Sequence, residues 1–175
     1  MSRAGVGVVV LSLVAVAAAI KGGFAKMGSL NVRNNNPLNI KISADWAGES
    51  FVQSHHIFEV FASPRFGFRA AYIILLQYLE RGDNTISSVI SKWAPANTDE
   101  QNHTGNYIDY VADKMQMSPA EYLLESDLPK LMLYMSEFEG GNGHFTLAQA
   151  VEGVELAKRE DFVLARLDRL GVSYV

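Results

Sequence analysis

The chain has 175 residues, 49% hydrophobic and 19% charged, with a net charge of −4 and no cysteine. That is enough for one domain with a real core, and it excludes disorder, disulfides, thiolate metal sites and cysteine nucleophiles. The mild acidity and the lack of a dense Lys/Arg stripe argue against a nucleic-acid partner.

Residues 4–20 carry no charge and are almost all Val, Ala, Leu or Gly, with Arg3 before them and Lys21 and Lys26 after. As a helix this run spans roughly 25 Å, near the lower limit for crossing a bilayer. It reads as a membrane anchor. A secretory signal, with Ala15, Ala17, Ala18 and Ala19 near a cleavage site, and a buried core helix are the competing readings. Gly22-Gly23 and Gly28-Ser29 form a joint. The expected organisation is therefore an anchor and short linker over 1–28 and a folded domain over 29–175.

Residues 31–62 are rich in Asn and Gly and hold β-prone runs at Phe51-Val52 and Ile57–Phe61, which predicts loops and a small hairpin. Ser63-Pro64 is a helix start, and the apolar run to Arg81 predicts a central buried helix that Gly82 stops. Asn84 opens a short helix ended by Pro95, and another is expected near Thr104 to Met115. Ser118-Pro119-Ala120-Glu121 has capping-box spacing. Ser126 opens a helix ending at Gly140-Gly141. Thr146-Leu147-Ala148-Gln149 repeats the capping pattern and starts the C-terminal helices. The fold class is mainly α (α+β), with a small β lobe and an N-terminal hydrophobic helix.

One acid stands out. With Leu128 at zero and 100° per residue, Leu131, Met132 and Met135 fall within about 60°, Glu139 at about 20°, and Glu137 at about 180°. Glu137 is then a solvated residue, and Glu139 lies on the core face in the last helical turn. The negative helix end and an apolar surround both disfavour its ionised form. A carboxyl kept neutral near pH 7 suits a proton donor to a glycosidic oxygen. The alternative is a helix-end Glu that swings into solvent.

Several ordered motifs resemble phage-encoded, lysozyme-like lytic proteins of the lytic transglycosylase type. They are Asn31-Val32-Arg33-Asn34-Asn35-Asn36-Pro37-Leu38-Asn39-Ile40-Lys41, Trp46-Ala47-Gly48, Phe58 to Ala70, Trp93-Ala94-Pro95, Asn102 to Ile108, and Glu139-Gly140-Gly141. The resemblance covers about 120 residues. It implies a lysozyme-like catalytic domain over 29–175 that cleaves the MurNAc–GlcNAc backbone of peptidoglycan, with Glu139 as general acid/base and Tyr107 beside it. Departures are Leu38 for Gly, Gly140 for Asn, Phe138 for His and His103 for an acid. The Glu also lies downstream of the β lobe, as in a circularly permuted lysozyme.

Asn34, Asn35, Asn36 and Asn39 suit a saccharide groove, because amides both donate and accept hydrogen bonds; they also suit turns. Trp46 suits stacking on a sugar face, and Thr104, inside its motif, joins the substrate-binding candidates. Trp93, before Ala-Pro at a helix end, reads as structural. Glu49 is the candidate second carboxylate of a hydrolase, with Asp45 its rival. A transglycosylase needs one acid/base. His55, His56, His103 and His144 invite a zinc reading, but neighbours on a strand point to opposite faces, so no metal or cofactor is expected. The expected partners are glycan strands, a membrane through residues 4–20 and other virion proteins, in a virion membrane or bacterial envelope. A catalytically inactive lysozyme-like virion component is the alternative.

Overall fold

The computed structural model of the chain describes residues 28–96 and 101–173. The expected anchor over residues 4–20 lies outside them. Among the described residues no helix is long and apolar enough to cross a membrane. The fold is mainly helical: α1 (Leu30–Arg33), α2 (Pro64–Glu80), α3 (Ile86–Trp93), α4 (Gln101–Met115), a 3-10 turn (Glu125–Asp127), α5 (Leu128–Gly140), α6 (Leu147–Ala157) and α7 (Asp161–Arg169).

Helix α2 is the axis. It is apolar nearly all round, so it must be covered on every side. Phe68, Ala71, Tyr72, Leu75 and Leu76 are fully buried, and α5, α6 and α7 pack around them. The α2–α6 crossing is close because Gly153 has no side chain. A Cβ there would sit 2.6 Å from Phe68 Cβ and 2.8 Å from the Arg69 nitrogen. Two polar ties fix the far end of the bundle. Buried Arg69 pairs with Glu160 at 2.8 Å, and the Tyr72 hydroxyl donates to Glu125 on the 3-10 turn at 2.5 Å.

The helix ends follow the local chemistry, with exceptions. Gly82, at φ +87°, lies one residue past the α2 C-cap Arg81, where the chain leaves the helix. Thr146 and Gln149 form the expected reciprocal cap. The cap of α3 is Thr85 with Ser88, one residue later than Asn84 suggested. Ser63 begins α2, but its hydroxyl caps nothing; Pro64 and the Phe66 N–H to Ser63 carbonyl bond make the start. No helix follows Ser118. The Glu121 carboxylate does accept the Ser118 N–H at 3.1 Å, yet Tyr122 then pairs with Thr85 and the Leu123 N–H donates to the Asn84 carbonyl. That pairing draws the chain into an extended path.

The expected β lobe is reduced. Between residues 34 and 62 the described chain has two isolated antiparallel bridges, Lys41 with Phe58 and Glu49 with Phe61, and no extended strand. Backbone bonds flank the bridges, among them Ile42 N–H to the Ile57 carbonyl and Ser50 N–H to the Val60 carbonyl, and side chains add to them. Asn36 donates to the carbonyls of Ile40 and Glu59 and accepts the Ile40 N–H, while Gln53 both donates to and accepts from Val60.

Candidate active site

The lobe is fastened to α5 by one close contact. A Cβ on Gly140 would fall 2.0 Å from Asn31 Oδ1, so only glycine leaves room for Asn31. Asn31 then donates to the carbonyls of Pro37 and Ser136 at 3.0 and 3.1 Å. Gly140 thus has a packing role. Leu38 is equally well housed. The left-handed backbone falls on Asn35 and Asn39, both at φ +49°, where asparagine is tolerated, and Leu38 is fully buried.

This fastening brings Asn39 to the end of α5. Its Nδ2 donates to Glu139 Oε2 at 2.8 Å. Glu139 is half-buried and lines a cavity of about 340 Å³, together with Asn39, Lys41, Phe58, Trp93, His103 and Thr104. Burial raises its pKa above the ordinary carboxylic range. The Asn39 and Tyr107 hydrogen bonds and the charge of His103 oppose that rise without cancelling it. The swing into solvent does not occur. The wheel placed Glu139 correctly but not Glu137. The Glu137 side chain is only 15% exposed, accepts from the Tyr110 hydroxyl at 3.0 Å and pairs with Lys114. The reason is α4, which packs along that face of α5.

Tyr107 is fully buried beneath the cavity, and its hydroxyl lies against both the Glu139 carboxyl and the Met135 carbonyl, the latter at 3.3 Å. It has one proton to donate. A carboxylate is the stronger acceptor, so that proton faces Glu139 when the acid is ionised and is free to turn to Met135 when it is not. Burial, then the Glu139 charge, pushes the phenol well above its usual pKa, so it stays a donor. Phe138 stacks on the Tyr107 ring at 4.1 Å between centroids, and His103 meets Phe138 edge-on at 5.3 Å. A ring pile thus holds Tyr107 and His103 on the cavity side of α4.

Other expected site residues lie elsewhere. Glu49 does not line the cavity; its carboxylate accepts the Trp46 N–H at 2.5 Å and closes a local turn. Asp45 does not line it either. Asn36 is buried in the lobe bonds, Asn35 donates to the Phe61 carbonyl, and Asn34 is buried with its Nδ2 unpartnered. Trp46 packs against the core, away from the cavity. Thr104 is at the cavity, but its hydroxyl donates to the Ala94 carbonyl at 2.8 Å, which fixes the wall after α3. Trp93 forms that wall, contrary to a purely structural role. It also packs edge-on against Tyr78. Lys41, Phe58 and His103 complete it. Each lies in one of the ordered motifs, Lys41 at the end of the first, Phe58 at the start of the third and His103 beside Thr104, but none was picked out as a groove residue.

Among the described residues, no group of three or more His, Asp or Glu side chains could hold a metal. His55 and His56 stack on each other at 5.1 Å, and His55 Nδ1 accepts the backbone N–H groups of Ile57 and Phe58.

Fold and cavity together define a mainly helical protein in which one buried acid faces an open groove. No protein-family model matches the chain. It is 36% identical over 129 residues to Protein P5 of Pseudoalteromonas phage PM2, covering 71% of this chain and 79% of that protein. The chain belongs to the family of that phage protein.

Proposed function

We propose that the protein is a lysozyme-like enzyme of the lytic transglycosylase type that cleaves the MurNAc–GlcNAc backbone of peptidoglycan. The observation that carries this is Glu139, a carboxyl with raised pKa on the wall of a cavity, hydrogen-bonded by Asn39 and Tyr107. A protonated Glu139 gives its proton to the glycosidic oxygen as the bond from C1 breaks. The charge left on the carboxylate is met by the Asn39 amide, already bonded to it, and by the Tyr107 hydroxyl, whose proton turns to it from the Met135 carbonyl. The MurNAc 6-hydroxyl then attacks C1 and returns its proton to Glu139, leaving a 1,6-anhydro ring.

Glu139 is the one Asp or Glu among the described residues that line the cavity. This favours the single-acid route over a hydrolase with paired carboxylates. Trp93 and Phe58 offer apolar faces for sugar rings. Kinship with a phage protein supports action on the host wall from a virion. In this reading residues 4–20 tether the enzyme to a membrane.

Peptidoglycan gels tested with the wild type and Glu139→Gln decide the matter. Clearing by the first alone supports the assignment. Equal clearing by both rules Glu139 out. No clearing by either, with intact folding, favours a catalytically inactive virion component. Mass spectrometry of the released fragments identifies the reaction, because anhydromuramyl ends mark a transglycosylase and reducing ends a hydrolase.

A further inference from the structure

Resting on the glycan-cleaving reading, we infer that the groove is built for an anionic saccharide, one whose sugar carries a carboxylate, and that Lys41 and His103 recognise it. The chain as a whole is acidic, at −4, yet among the described residues the ionisable side chains lining the cavity are Lys41, His103 and Glu139. Burial disfavours the charge on Glu139, and Lys41 carries the ammonium of the wall. Neither Lys41 nor His103 has an ion-pair partner among the described residues.

The two come from different segments of the cavity wall. Lys41 stands on the bridged segment with Phe58, and His103 stands in the first turn of α4, where the helix field favours negative charge. The ring pile on Phe138 fixes the imidazole in that position. Lys41 also lines a second cavity of about 230 Å³, which shares Asn39 and Trp93 with the first. It therefore sits where a ligand extending beyond the Glu139 pocket would pass. A neutral sugar has no anionic group for the Lys41 ammonium to meet. The lactyl ether of muramic acid, unsubstituted by peptide, presents the carboxylate that matches them.

Binding is measured by calorimetry with the full chain carrying Glu139→Gln, to prevent turnover. The probes are chitotetraose and an alternating GlcNAc–MurNAc tetrasaccharide with free lactyl carboxylates. The acidic sugar should bind about threefold to tenfold more tightly at low salt, as expected for charge contacts in an open cleft. Lys41→Met and His103→Gln should each reduce that preference, read as the ratio of the two affinities for each variant, and Lys41→Arg should retain it. Equal affinity of the parent for both sugars overturns the inference and leaves the glycan reading standing. So does a preference that survives both substitutions. Binding of neither sugar overturns the inference and the glycan reading together.

Discussion

The two halves that meet at Glu139 are held together by different physics. The helical half, from α2 onward, is stabilised by apolar packing: Leu75, Leu76, Leu131 and Met135 are fully buried, and Gly153 lets two helices touch. The lobe from Asn34 to Ala62 has bridges without a ladder, and side-chain amides bond its backbone. Packing tolerates small adjustments, because many weak contacts share the load. A hydrogen-bonded lobe does not, because losing one buried partner leaves others unsatisfied. The candidate site takes its acid from the tolerant half and its amide donor from the exacting one.

The largest effect should come from the packed half. Leu131→Ala should cost about 3 kcal/mol, read by urea unfolding, because it deletes a fully buried side chain from α5 against α2. A loss below about 1 kcal/mol would mean that the core relaxes far more than a packed interior normally does. Asn36→Ala should cost less, about 2 kcal/mol, since it strands the Ile40 N–H and the Glu59 carbonyl, while the Ile40 carbonyl keeps the Glu59 N–H. Its distinguishing sign is local. Amide exchange should speed up over residues 40–61 while α2 and α6 stay protected. Uniform acceleration would show the two halves to be one cooperative unit.

Glu139→Gln should stabilise the protein at pH 7. The folded pKa is raised, so the acid favours folding below the ordinary unfolded value of 4.5, and that contribution is lost as pH rises through the folded pKa. Parent and variant should therefore unfold alike in acid and diverge toward neutrality, with the variant the more stable. A variant less stable than the parent at pH 7 would show that the Asn39 and Tyr107 bonds outweigh the burial cost. The smallest effect belongs to the exposed rim. Arg169→Ala should change stability by less than about 0.5 kcal/mol, because Glu80 keeps Arg166 and the lost pair faces solvent.

Legibility in the sequence divides along the same line. The helices were readable because Pro64, Gly82, Thr146 and the apolar period are local signals. So was Glu139, whose place on the α5 wheel needs only its own helix. The lobe was not. Asn34, Asn35, Asn36 and Asn39 form one run of similar residues, and only tertiary contacts separate the three with structural roles from the one that reaches Glu139. Glu137 shows the limit of the wheel, which cannot foresee that α4 covers a face read as solvated. Glu49 looked catalytic beside Trp46-Ala47-Gly48, but its nearest N–H donor, three residues back, claimed it first. The cavity wall draws on Lys41, Phe58, Trp93 and His103, four segments whose meeting no pattern announces.

The tie between Asn31 and Ser136 spans 105 positions, and that between Asn39 and Glu139 spans 100. Closing loops of that size costs entropy before any bond forms, and such contacts arrive late in folding. Helices α2 to α6 can assemble from neighbours, whereas the groove exists only after the early residues have returned to α5. Glu139 therefore lacks its amide partner through most of folding. Pulse-labelled hydrogen exchange should find amides of residues 36–61 gaining protection after those of α2.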